Sequence, residues 1–138
     1  MFKVTNLDHV GIGVGDLEKA TKFYTEVLGM KSTGEEVVEE QKVKVRFIPA
    51  GQGEVELLES TAEDGPIAKY IAKNGGRDGI QHVALHVDNI EQAIADLEAK
   101  GVPMIDKKPR YGAGGSSIAF VHPKATGGVL VELCQRNK

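Results

Sequence analysis

A single cysteine in 138 residues excludes an internal disulfide and any zinc site built from paired cysteines. That residue, Cys134, lies in the apolar run Val129-Leu130-Val131-Glu132-Leu133-Cys134, where a thiol serves as a small buried hydrophobe. No stretch approaches the roughly 18 consecutive apolar residues that a membrane-spanning helix needs. The opening residues, Met1-Phe2-Lys3-Val4-Thr5, lack the basic start and apolar core of a secretion signal, so the expected location is the cytoplasm. Neither sign of charge dominates: 17 basic against 20 acidic side chains leave a net −3, with the signs interspersed. No basic stripe is present to hold nucleic acid. What remains is an ordinary soluble composition, 41% hydrophobic and 27% charged. The length suits one well-buried domain or two half-sized modules sharing one site, and leaves no room for a separate nucleotide-binding domain.

The chain is written twice. His9-Val10-Gly11-Ile12-Gly13-Val14-Gly15-Asp16-Leu17-Glu18-Lys19-Ala20 aligns without gaps on His82-Val83-Ala84-Leu85-His86-Val87-Asp88-Asn89-Ile90-Glu91-Gln92-Ala93, and Phe47 maps to Phe120 at the same spacing. Val55-Glu56-Leu57 recurs as Val131-Glu132-Leu133. Each half therefore carries one His on its first strand and one Glu on its last.

Apolar and polar residues alternate with period two over residues 7–14 and 81–87, as in half-buried strands. Val10, Ile12 and Val14 share one face of the first strand, and His9, Gly11 and Gly13 the other. In the second strand Val83, Leu85 and Val87 oppose His82, Ala84 and His86. The aliphatic faces suit packing against helices, and the His faces have mostly small neighbours that leave room for a ligand. Asp16 and Asn89 are good N-caps, and Asn89 with Gln92 makes a capping-box pattern. Leu17, Ala20, Tyr24 and Leu28 form the apolar stripe of one helix, and Ile90, Ala93, Ile94 and Leu97 that of the other. Gly29 and Gly101 end these helices. Strands follow over residues 43–48, 54–58, 117–121 and 129–134. A third helix over 66–74 begins at Pro66 and ends before Gly75-Gly76. The predicted organisation is one α+β domain over 1–138: a βαβββ module over about 4–60, a linker helix over about 61–78, and a second module over about 79–136. Residues 103–116, which include Pro109 and Gly112-Ala113-Gly114-Gly115, read as a loop able to close over a ligand.

His9, Glu56, His82 and Glu132 are candidate metal ligands. Imidazole and carboxylate groups on four separate strands suit a divalent ion of intermediate hardness, with positions left for water or substrate. A lone strand His or Glu has a simpler explanation as a hydrogen-bonded or solvated side chain. Recurrence of the His and the Glu together, at matching positions, is what singles out this foursome. His86 has Gly13 as its repeat partner and His122 sits in a His-Pro-Lys turn, so neither joins the set.

These features resemble the vicinal-oxygen-chelate superfamily, which includes glyoxalase I, extradiol dioxygenases and bleomycin-resistance proteins. The resemblance is nearer to its epimerase branch, whose substrate is methylmalonyl-CoA. Leu7-Asp8-His9-Val10, Pro66-Ile67-Ala68-Lys69-Tyr70, Gly79-Ile80-Gln81-His82-Val83-Ala84, and Phe120-Val121-His122-Pro123-Lys124 with Gly128-Val129-Leu130-Val131-Glu132-Leu133 carry it. It implies a curved, partly open mixed β-sheet around a metal site, with helices outside. It also implies one divalent ion per chain, cobalt first, with manganese, magnesium, zinc or nickel as alternatives, held by His9, His82 and Glu132 and by position 56, which is Gln in some epimerases and Glu here. The implied activity interconverts (R)- and (S)-methylmalonyl-CoA by proton transfer at the α-carbon through a metal-stabilised enolate. The implied protein is a homodimer with an acyl-CoA substrate. One departure stands out. Some epimerases place a catalytic Glu just after a Glu-Gln-Gly-Val segment, and here Glu40-Gln41-Lys42-Val43 leads to Val45, so that base is not carried over.

Glu132 is the first candidate for one side of the proton transfer. Lys124, Arg110 and Lys44 are candidate contacts for coenzyme A phosphates, and the glycine loop around Gly114 for a carbonyl or phosphate. The competing readings are a glyoxalase I-type lactoylglutathione lyase, with the same ligand types, and a non-catalytic small-molecule binder of the same fold.

Overall fold

A computed structural model of the protein describes residues 1–136. The first module contains β1 (Val4–Gly13), α1 (Leu17–Lys22), β2 (Gly34–Val38), β3 (Val43–Ala50) and β4 (Gly53–Ser60). After α2 (Pro66–Lys73), the second contains β5 (Gly79–Val87), α3 (Ile90–Ala99), β6 (Arg110–Gly112), β7 (Ser116–Val121) and β8 (Val131–Gln135). The βαβββ order is thus observed twice, in an α+β fold.

Strand order repeats as well. The first module runs β2-β3-β4-β1 and the second β6-β7-β8-β5. In each, the first strand pairs in parallel with the last, and the remaining neighbours are antiparallel. The registers match residue for residue. Gly11 and Phe47 flank Glu56, and Ala84 and Phe120 flank Glu132.

The chain forms two compact units, residues 9–81 in one and residues 1–8 with 82–138 in the other. The first residues belong to the second unit because they are fastened there. Phe2 N–H donates to Asp96 (2.8 Å), Lys3 N–H to the Asp88 side chain (2.9 Å), and Asp88 N–H returns to the Lys3 carbonyl (3.1 Å).

Each unit has its own core where the aliphatic strand face meets the helix. Val14, Leu17, Ile48 and Leu57 are buried together, with Ile12, Ala20 and Tyr24 against them. In the other unit Val87, Ile90, Ala93, Ile94, Ala119 and Leu133 do the same. Asp16 and Asn89 cap their helices by accepting from Lys19 N–H (3.1 Å) and Gln92 N–H (3.0 Å). The reciprocal half of the capping box is not made, because Gln92 donates instead to Asp96 (2.7 Å). Gly29 and Gly101 have φ of +73° and +78°, the left-handed turn that ends a helix cheaply only at glycine.

Three expectations need correction. The first helix does not keep an α stripe to Leu28: beyond Lys22 it widens into a π turn over Phe23–Val27, closed by Leu28 N–H to the Phe23 carbonyl (3.1 Å). The extra residue per turn rotates Leu28 off the core face, where it is 53% exposed. Residues 103–116 are not one loop, since β6 and a tight turn at Ala113–Gly115 lie within them and Met104 bridges Val121. The last strand begins at Val131, two residues later than expected. Among the described residues no helix is long and apolar enough to cross a membrane.

Candidate metal centre and active site

Each module buries its own imidazole–carboxylate pair. In the first, His9 on β1 and Glu56 on β4 lie with Nδ1 and Oε2 3.4 Å apart. In the second, His82 on β5 and Glu132 on β8 lie with Nε2 and Oε1 3.3 Å apart. All four residues are 3–6% exposed. The parallel pairing of first and last strands makes these meetings, because Glu56 faces Gly11 and Glu132 faces Ala84, two residues beyond each His on the same face. The residues paired with the carboxylates, Gly11 and Ala84, are both small.

The donor chemistry fits a divalent cation. Two ligand atoms each about 2.1 Å from one ion, at right angles, stand about 3 Å apart, close to both observed separations. A buried carboxylate that meets an imidazole is also an arrangement that a cation completes.

Phe120 packs edge-on against the His82 ring, with centroids 5.7 Å apart and planes at 87°. On the same stretch of chain Arg110 places its guanidinium 5.4 Å from the Phe120 centroid. Asp106 accepts from Phe120 N–H (2.8 Å) and forms an ion pair with Arg110, Nε to Oδ1 3.2 Å. Phe120 was visible as the repeat partner of Phe47, but nothing local marked Asp106. Asp8, buried at the end of the segment shared with the second unit, accepts from Arg136 Nε (3.1 Å) and Nη2 (2.6 Å). That pair joins residues 128 positions apart, so the sequence held no signal for it.

Cys134 is fully buried, and burial, with Asp8 and Glu132 nearby, pushes its thiol up to about 12. It behaves as the small hydrophobe expected from its surroundings. Val45, which follows Glu40-Gln41-Lys42-Val43 by two residues, is a 2% exposed core residue. His122 Nδ1 accepts from Lys124 N–H (3.1 Å), a structural contact within its His-Pro-Lys turn. His86 Nδ1 lies 2.6 Å from Thr5 Oγ1. Of the candidate substrate contacts, Lys124, Arg110 and Gly114 are exposed; Arg110 pairs with Asp106 (3.2 Å) and Lys44 with Glu35 (3.3 Å).

Residues 8–120 match the model of the glyoxalase/bleomycin resistance protein/dioxygenase superfamily. The chain is 40% identical to the mitochondrial methylmalonyl-CoA epimerase of Mus musculus, over 98% of this chain and 75% of that one. The crystal structure of methylmalonyl-CoA epimerase from Mycobacterium tuberculosis matches 98% of this chain and 90% of its own at 36% identity, with a TM-score of 0.92. A Streptomyces coelicolor methylmalonyl-CoA epimerase variant in complex with 2-nitronate-propionyl-CoA matches 99% of this chain and all of its own at 35% identity, with a TM-score of 0.92. The lactoylglutathione lyase of Schizosaccharomyces pombe is 39% identical over 70% of this chain, but only 37% of that protein is covered. The repeated βαβββ modules, the paired His and Glu, and likeness along nearly the whole length thus place this chain in the glyoxalase/bleomycin resistance/dioxygenase superfamily, and within it in the methylmalonyl-CoA epimerase family.

Proposed function

We propose that the chain is a metal-dependent epimerase that interconverts (R)- and (S)-methylmalonyl-CoA by moving a proton at the α-carbon. The observation that carries this reading is the duplication of a buried His–Glu pair, at matching registers, in a chain of the epimerase family. In this reading the entire chain works as one domain, and His9, Glu56, His82 and Glu132 together hold one divalent ion, cobalt being the first choice among cobalt, manganese, magnesium, zinc and nickel. When bound, such an ion supplies Lewis-acid stabilisation to the negative charge that develops as the α-proton leaves.

The protein's own side chains do the rest. Glu132 is the residue assigned to take or return the α-proton on one face, its carboxylate being held in reach by β8. The small residues Gly11 and Ala84 leave room for the acyl group beside the ligands. Lys124, Arg110 and the turn at Gly114 are assigned to the anionic and carbonyl groups of the acyl-CoA. The working form is taken to be a cytoplasmic homodimer. A lactoylglutathione lyase shares the ligand types, but the lyases of Schizosaccharomyces pombe and Arabidopsis thaliana are matched over only 37% and 43% of their own length. A passive binder has no need of two intact His–Glu pairs.

The test is chemical. Metal-stripped protein is reloaded with each ion and incubated with (R)- or (S)-methylmalonyl-CoA in heavy water. An epimerase puts deuterium on the α-carbon while the configuration scrambles, because a proton lost from one face is replaced from a solvent-exchanged group on the other. Neither change, with every ion tried, would overturn the reading.

A further inference from the structure

Arg110 is exposed, yet it is held on two sides. Its Nε lies 3.2 Å from Asp106 Oδ1 in an ion pair, and its guanidinium carbon lies 5.4 Å from the centroid of Phe120, inside the roughly 6 Å reach of a cation–π contact. Asp106 is itself fixed, because its Oδ2 accepts from Phe120 N–H at 2.8 Å while Ile105 N–H donates to the Phe120 carbonyl at 2.9 Å. The same phenyl ring meets His82 edge-on, and Phe120 is the register partner of Glu132. A cation that would otherwise sample many rotamers is therefore fixed one phenyl ring away from the His82–Glu132 pair.

The hairpin does not need this device to form. In the first module the equivalent pairing sets Glu36 opposite Val45, where the second sets Arg110 opposite Ile118, the repeat partner of Val45. The same strand pairing forms there around an acidic residue. A brace for the strand would be required in both halves. The Asp106–Arg110–Phe120 arrangement belongs to the half whose His82 and Glu132 it adjoins.

We propose that Asp106 is a positioning residue that aims Arg110, and that Arg110, so held, binds an anionic oxygen of the substrate, carboxylate or phosphate. This rests on the acyl-CoA reading above. A guanidinium pre-oriented by a carboxylate and a ring loses less entropy on binding than a free arginine, so its contact appears in affinity more than in the chemical step.

The experiment is a double-mutant cycle on the metal-loaded protein: wild type, Arg110→Ala, Asp106→Asn and both together. Calorimetry reads binding of methylmalonyl-CoA and of methylmalonyl-pantetheine, which lacks the nucleotide phosphates, with kcat, KM and melting temperature recorded for each protein. Arg110→Ala is expected to weaken binding of methylmalonyl-CoA by about tenfold, the scale of one charge-assisted hydrogen bond, with little change in melting temperature. An equal loss for the pantetheine ester assigns the carboxylate, and a loss confined to the coenzyme A ester assigns a phosphate. Asp106→Asn should weaken binding about threefold when Arg110 is present and have no further effect once Arg110 is gone, since it acts through that side chain. Asp106→Glu, which retains the charge, should recover part of the loss. Wild-type affinity in Arg110→Ala would overturn the contact. An equal Asp106→Asn loss with and without Arg110 would reduce Asp106 to a structural brace. Wild-type protein that binds but fails the heavy-water test removes the epimerase reading and leaves the calorimetry to judge Arg110, whereas wild type that binds neither thioester removes both.

Discussion

Cys134 and Glu132 are two residues apart on β8, and both are buried. The thiol is wholly buried and stays protonated. At pH 8 an aromatic disulfide reagent should label it in native protein at less than about one-hundredth of the rate in denatured protein, because only opened molecules react. Its raised value also has a sign for stability. The unfolded chain ionises the thiol from about its ordinary value of 9.0 while the folded chain holds the proton to about 12, so this contribution is complete below pH 9 and is lost as pH rises toward 12. Glu132→Gln keeps the shape of the side chain and removes its basicity. With metal occupancy measured and saturated, kcat should fall by at least about a hundredfold, the span of general acid–base catalysis. Near-normal turnover at full occupancy would leave Glu132 a ligand and nothing more.

Within the first module, the helix face and the strand face are joined by Arg46. It stands on β3, 9% exposed, and its guanidinium donates to Thr21 (3.2 Å) and Glu18 (2.8 Å) on α1 and forms a close ion pair with Glu35 on β2. The guanidinium holds both carboxyls below their usual range, in each case chiefly through the hydrogen bond it donates. Arg46→Ala should cost about 1–2 kcal/mol in urea unfolding at pH 7, less than for a fully buried pair because both carboxylates are open to water. Depressed carboxylates stabilise the fold above their ordinary value of 4.5 and lose that contribution as pH falls through the lower folded value. The gap between wild type and Arg46→Ala should therefore be widest at neutral pH and narrow below about pH 4.5. A gap that stayed constant down to pH 2 would mean that Arg46 acts by packing its stem and not by charge.

At the scale of the whole molecule the duplication makes the sharpest demand. If each half contributes one His and one Glu to the same ion, His9→Ala and His82→Ala should each weaken binding of cobalt by more than about a hundredfold, a loss at least as large as that from altering a supporting residue. Titration of metal-free protein measures both. Loss in one variant alone would mean that a single module holds the ion. Metal that binds the folded protein must also stabilise it by an amount that grows with the logarithm of its free concentration, about 2.7 kcal/mol at a hundred times the dissociation constant. Exhaustive chelation should lower the melting temperature, and re-addition should restore it; no change would leave the four residues without an ion.

Much of this was legible in the chain itself. Period-two alternation placed the first strand of each half, Asp16 and Asn89 marked both helix starts, and the gapless match of residues 9–20 to 82–93, with the recurrence of Val55-Glu56-Leu57 as Val131-Glu132-Leu133, announced two modules with equivalent His and Glu positions. Those signals are local or repeated, so sequence carries them without any knowledge of packing. Tertiary structure decided the rest. Strand β6 is three residues long and is defined by its pairing with β7, which leaves no period to read. Asp106, Arg110 and Phe120 meet, and Asp8 finds Arg136, because strand pairing brings distant backbone together. The residue types that can do chemistry are written in the sequence, but which of them face one another depends on register, and register is a property of the folded sheet.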